Sequence, residues 1–120
     1  NLSFRELTEK AVKEKISLYS ADFSGADLSY MKLSGADFDS ANFEKANLSG
    51  ADLSWAILKY ANFKDVNFEK ANLSYSNSEH AKLIGANFEG ANFSRTHLGY
   101  IKIKENQIKD LLKSMNITII

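Results

Sequence analysis

The chain has 120 residues, 44% of them hydrophobic and 25% charged, with 15 Lys and Arg against 15 Asp and Glu and a pI near 6.9. So even a balance gives no bulk attraction to nucleic acid or to an anionic membrane. The absence of Cys excludes disulfides, thiol catalysis and thiolate metal sites, and no run of 18 apolar residues exists to insert in a membrane.

At the N-terminus the chain starts with Asn1 rather than Met, which leaves room for an earlier segment, and it shows no charged-then-apolar secretion signal. A soluble, bacterial-type cytoplasmic protein is the expectation. Ser3-Phe4-Arg5-Glu6 reads as a capping box, with Leu2 and Leu7 placed as a hydrophobic staple. Phe4, Leu7, Ala11 and Val12 then share one helical face. The spacing predicts a helix over residues 4–14, within an N-terminal unit of residues 1–15, lying on its apolar face over whatever follows.

From Leu18 onward a Leu or Phe recurs every five residues as far as Leu98, at sixteen of seventeen positions, with Ser78 the exception. Two residues before each stands a small residue, Ala in twelve cases; Ile16, Met31, Val66, Ser76 and Thr96 are the others. Between the two lies a polar residue, mostly Asp or Asn. A period of five fits neither a helix nor a plain strand. Two inward side chains separated by one outward one describe a short extended piece that ends in a corner. Stacking such pieces buries a column of Leu and Phe, with Ala in the tighter inner positions. Gly25, Gly35, Gly50, Gly85 and Gly90 all occupy the last of the five positions, where they relax corners.

The tandem A(D/N)(L/F)xx pattern, as in Ala21-Asp22-Phe23-Ser24-Gly25 and Ala46-Asn47-Leu48-Ser49-Gly50, resembles the pentapeptide-repeat family. The resemblance covers residues 16 to 100, inside a repeat unit of residues 16–104. It implies an all-β solenoid: a right-handed quadrilateral β-helix of about four coils, four pentapeptides to the coil, with short α-helical caps at both termini. Residues 20 apart then stand one coil above another. On that map Asn47, Asn67 and Asn87 form a column whose amides are placed to hydrogen-bond along the axis.

Residues 105–120 complete the chain. Asn106 is placed to N-cap a helix with apolar residues at Ile108, Leu111, Leu112 and Met115, and Asn116 to stop it. The apolar tail Ile117-Thr118-Ile119-Ile120 either packs on its own chain or makes a dimer contact through Ile117, Ile119 and Ile120. Some members of the family dimerise through this end, so a homodimer is among the implications of the resemblance.

No catalytic site, cofactor site or metal site is expected. His80 and His97 are the only imidazoles, and a metal would need three or four convergent ligands. The Ser and Asp residues that a nucleophilic triad would need are accounted for as outward repeat positions, and no phosphate-binding glycine loop is present. The surface map does single out one face. Trp55, Tyr75 and Arg95 form one outward column; Tyr60, His80 and Tyr100 form the next; Ile57 lies between them. Exposed aromatics beside an Arg and an Ile suit a partner-binding face. The alternative is that they only cover the edge of the stack, with Arg95 resting on Tyr75. The face also holds the worst break in the repeat, with Ser at both inward positions, 76 and 78.

The reading that follows is a non-catalytic scaffold that binds another protein, without direct nucleic-acid binding or membrane insertion. The alternative is a DNA mimic that binds gyrase, since the family includes quinolone-resistance proteins. Mimicry needs a strongly acidic rod, whereas residues 16 to 100 carry 10 acidic and 7 basic residues, a net of −3. The unbroken register leaves no room for a long projecting loop either.

Overall fold

A computed structural model describes residues 1–117. Between helix α1 (Phe4–Lys13) and helix α2 (Ile108–Ser114), the chain winds as a stack in which residue i pairs with residue i + 20 through a parallel bridge, from Asp22↔Asn42 to Lys82↔Lys102. Twenty residues per coil is the spacing that the family resemblance implies. Among the described residues each pairing is a single bridge rather than a strand, so the molecule is a stack of singly bridged edges more than a sheet. The physical reason is that every five-residue edge bends before a ladder can lengthen.

The interior is the expected one. Leu28, Leu33, Phe38, Phe43, Leu48, Leu53, Leu58, Phe63, Phe68 and Leu73 are fully buried, and the Ala positions fill the space beside them. Phe23, Phe43 and Phe63 stack along the axis at 5.4 and 5.1 Å. Ser76 and Ser78 are fully buried as well, and their hydroxyls face each other at 3.4 Å.

Each corner turns the same way. The residue at the third place of the turn has positive φ, and the residue after it closes a hydrogen bond back to the inward residue, as Ala26 N–H does to the Phe23 carbonyl at 3.0 Å. That is the arrangement that type II turns require, usually with Gly at the third place. Here Gly fills only five of these corners. Lys45, Trp55, Tyr60, Asp65, Tyr75, His80 and Arg95 adopt φ near +60° as well.

The Asp and Asn residues have a role that periodicity did not disclose. In the inner pentapeptides, such as residues 41–45, four backbone N–H groups find carbonyls, across the turn or in the coils above and below. The fifth, on the residue after the inward Leu or Phe, has none. The Asp or Asn two residues earlier accepts it, as Asn42 does from Glu44 at 3.0 Å and Asn67 from Glu69 at 2.9 Å. The same bonds hold Asp22 and Asp27 below the usual carboxylate range, through the Ser24 amide and the Ser29 hydroxyl respectively. This also corrects the axial Asn ladder. One rung of the column is made: Asn87 donates at 3.4 Å to the Asn67 Oδ1 that also accepts from Glu69 N–H.

Both ends close on polar side chains. At the N-terminus the capping box is present, with Ser3 Oγ accepting from Glu6 N–H at 3.1 Å and Glu6 Oε1 from Ser3 N–H at 3.2 Å. The docking face of α1 is in part the expected one: Phe4 meets Phe23 edge-on at 5.8 Å between ring centroids and Val12 packs against the core, whereas Leu2 and Leu7 stay about half exposed. The helix also meets the coil through Arg5, Thr8 and Glu9. Arg5 donates to the carbonyls of Asp27 and Ser29, and Glu9 Oε2 accepts from Lys32 N–H. Those backbone groups would pair with a preceding coil if one existed. Satisfying them outweighs burying two more apolar side chains.

The C-terminal end follows the same logic. Asn106 does not cap the helix; residues Glu105–Gln107 form a 3-10 turn, and α2 begins without a side-chain cap. Gln107 turns inward, where its Oε1 accepts from Gly85 and Lys104 N–H, and its Nε2 donates to the carbonyls of Leu83 and Ala86. Leu111 and Ser114 are buried on the same helical face, and Ser114 O accepts from Phe93 N–H at 2.8 Å. Asn116 takes φ +62°, and bonds from Asn116 and Ile117 N–H to the Lys113 and Leu112 carbonyls end the helix as anticipated. Ile117 is largely exposed; Ile119 and Ile120 of the expected dimer contact lie outside the described residues.

Candidate interaction surface

The corner residues, not the edges, carry the largest exposed side chains. Because corners twenty residues apart lie above one another, aromatic residues placed there must stack, and two such stacks run side by side. In the first, the rings of Trp55 and Tyr75 are parallel, 4.6 Å apart with 5° between their planes, and the Arg95 guanidinium follows at 5.9 Å from the Tyr75 ring. In the second, His80 is held between Tyr60 at 4.6 Å and Tyr100 at 4.9 Å, all three rings within 10° of parallel. Contacts of this kind add roughly 0.5–1.5 kcal/mol each beyond burial, so the stacks brace the corners from outside.

Bracing leaves much of each ring uncovered. Trp55 is 64% exposed, Tyr60 55% and Tyr100 81%. Between the stacks runs the bridged column Asp37–Ile57–Asn77–His97, in which Ile57 is 40% exposed. The structure thus brings Trp55, Ile57, Tyr60, Tyr75, His80, Arg95 and Tyr100 onto one edge and its two corners. It also realises the covering contact of Arg95 on Tyr75. The surface beside them is of mixed sign, with Lys59 and Glu79 on the same edge, and the buried Ser76 and Ser78 lie directly behind it. Among the described residues no group of three or more His, Cys, Asp or Glu side chains converges on a point, and no helix is long and apolar enough to cross a membrane.

What sequence reasoning missed lies next to this face. Gly35 and Ser40 occupy the corners below Trp55 and Tyr60, so both stacks begin at the same level over small residues. The twenty-residue spacing contains that signal once the corners are read as columns in both directions.

Comparison with known proteins bears on the repeat. The family model for pentapeptide repeats matches residues 21–59 and 61–99 in eight copies. A crystal structure of a pentapeptide repeat protein from the cyanobacterium Cyanothece 51142 is 40% identical, over 76% of this chain and 62% of that one, with a TM-score of 0.73. A pentapeptide repeat protein of the Arabidopsis thaliana thylakoid lumen is 33% identical, over 82% of this chain and 68% of that one, with a TM-score of 0.79. The chain therefore spans about three fifths to two thirds of the length of these two relatives. A likeness to a plasmid-mediated fluoroquinolone resistance protein, 15% identical with a TM-score of 0.29, carries no argument. No curated protein matches.

Proposed function

The chain belongs to the pentapeptide-repeat family, and on that premise we propose that it is a non-catalytic scaffold whose doubly stacked aromatic face binds another protein. In this reading the coil is right-handed and four-sided, and its role is to hold side chains at fixed spacing rather than to transform a substrate. One observation carries it: two parallel stacks, Trp55–Tyr75–Arg95 and Tyr60–His80–Tyr100, hold their rings in place while leaving Trp55, Tyr60 and Tyr100 more than half exposed. Rings already immobilised by their neighbours lose little side-chain entropy on binding, and aromatic and Arg side chains dominate binding energy where they recur.

The test is capture of a partner from the source cell by the intact chain, compared with the Trp55→Ala/Tyr60→Ala double variant. Circular dichroism and thermal melting establish that the variant folds. Capture should fall by about tenfold or more, as loss of two hot-spot aromatics implies. A folded double variant that captures the same partner equally well would sink the proposal.

A further inference from the structure

The corner column Gly35–Trp55–Tyr75–Arg95 has one rung without a side chain. Trp55 stacks on Tyr75 by one face of its indole, and Arg95 closes the far end. The other face of Trp55 is turned toward the corner at Gly35, where an added Cβ would meet nothing within 4 Å. Elsewhere the preceding coil fills such gaps, as Tyr30 does at Gly50 and Asp65 at Gly85. Lys15, twenty residues before Gly35, leaves its gap open. Gly35 also lines a cavity of about 680 Å³ between the end of α1 and the second coil, where Ile16 and Ala36 supply apolar surface and Lys13, Lys15 and Lys32 supply charge. Glu9 and Asp37 line it too, held by the Lys32 amide and by the Ser17 hydroxyl and Asp39 amide, so three positive charges face two negative ones and the cavity keeps a net charge of +1. Among the described residues none of the three lysines has an ion-pair partner.

We infer that the corner at Gly35 is a binding site for a planar aromatic anion, whose ring takes the missing rung on Trp55 and whose negative group meets Lys13, Lys15 and Lys32. The chain itself shows what stacking at this spacing achieves one coil further on, at 4.6 Å between Trp55 and Tyr75. A partly apolar cavity with a few convergent charges is the usual build of a small-molecule site. The inference shares Trp55 with the proposed partner face but not the second stack, so Tyr60→Ala, which leaves Trp55 in place, separates the two.

Trp55 is the only Trp in the chain, so its indole N–H gives one nuclear magnetic resonance signal that reports on the site in the intact protein. Naphthalene-1-sulfonate should move that signal saturably, and its affinity should fall as salt is added. The same ring bearing a trimethylammonium group should bind about tenfold more weakly. Gly35→Tyr should fill the rung and weaken sulfonate binding by about tenfold, the upper range for an aromatic pair; the corner conformation admits Tyr, since Tyr75 adopts φ +61°. If circular dichroism shows that this variant does not fold, the Lys13→Gln/Lys15→Gln/Lys32→Gln variant decides, and should bind more weakly with no salt dependence. No saturable shift, equal binding of the cation, or unchanged affinity in a folded variant of either kind overturns the inference. Sulfonate binding retained in Tyr60→Ala when partner capture is lost, or partner capture retained in Gly35→Tyr when sulfonate binding is lost, separates it from the proposed function.

Discussion

At the scale of single residues, the repeat depends on satisfying backbone as much as on filling a core. An inner pentapeptide leaves one N–H without a carbonyl, and where an Asp or Asn stands two residues earlier it takes that N–H, as Asn67 does from Glu69. Replacing Asn67 with Ala removes the acceptor for Glu69 N–H and the partner of the Asn87 amide. The cost should be about 1 kcal/mol, read as a lower midpoint in urea with an unchanged slope. Lys82 occupies the equivalent place before Ile84, where no carboxylate or amide oxygen is offered. Lys82→Asn should therefore raise the midpoint by a similar or smaller amount. Equal stability of both variants and the parent would show that water serves these N–H groups as well as Asx side chains do.

At the scale of elements, the two caps act by replacing the hydrogen bonds of a missing coil. The capping box, the inward five-residue step and the stop at Asn116 were all legible, because each is written in residues a few places apart. The polar contacts of α1 and the inward turn of Gln107 were not. They are fixed by contacts across 21 to 24 residues with carbonyls and amides that only the closed coil exposes. Apolar spacing alone favoured Leu7 as a docking residue, yet it is about half exposed, and it favoured Asn106 as a cap that Gln107 renders unnecessary. Gln107→Ala should cost about 2–4 kcal/mol, since it strips four backbone groups of their partner at once. Hydrogen exchange at Gly85 and Lys104 should rise together with that loss. Gln107→Glu, which keeps the acceptor and loses the donors, should fall between the two. A Gln107→Ala variant as stable as the parent would refute this account of the C-terminal plug.

At the scale of the whole molecule, the stack is a rod of 52 × 23 × 22 Å with charges of both signs distributed over it. The aromatic columns could be placed from the twenty-residue spacing alone. Which ring faces stay open could not, because that depends on how far each corner side chain leans across the next. Among the described residues the surface ion pairs are Arg5–Asp27 and Lys64–Glu44, at 3.5 and 3.7 Å. A rod whose repeat carries 10 acidic and 7 basic residues lacks the uniform negative charge of a duplex, which bears one charge about every 1.7 Å. Gyrase supercoiling should therefore be unchanged when the protein is added, with or without a quinolone. Inhibition, or rescue from the drug, would favour the DNA-mimic reading over the scaffold.

The left-handed corners have one more consequence. They accept Gly, Ser, Lys, Asp, Trp, Tyr, His and Arg alike, so the part of the chain that meets the outside world is largely separate from the core that keeps it folded. A pair of corner letters can be rewritten without disturbing the Leu and Phe behind them, and every rewritten letter arrives at a known address on a grid. Selection, or an engineer, can thus change what the molecule recognises by editing an alphabet rather than by redesigning an architecture.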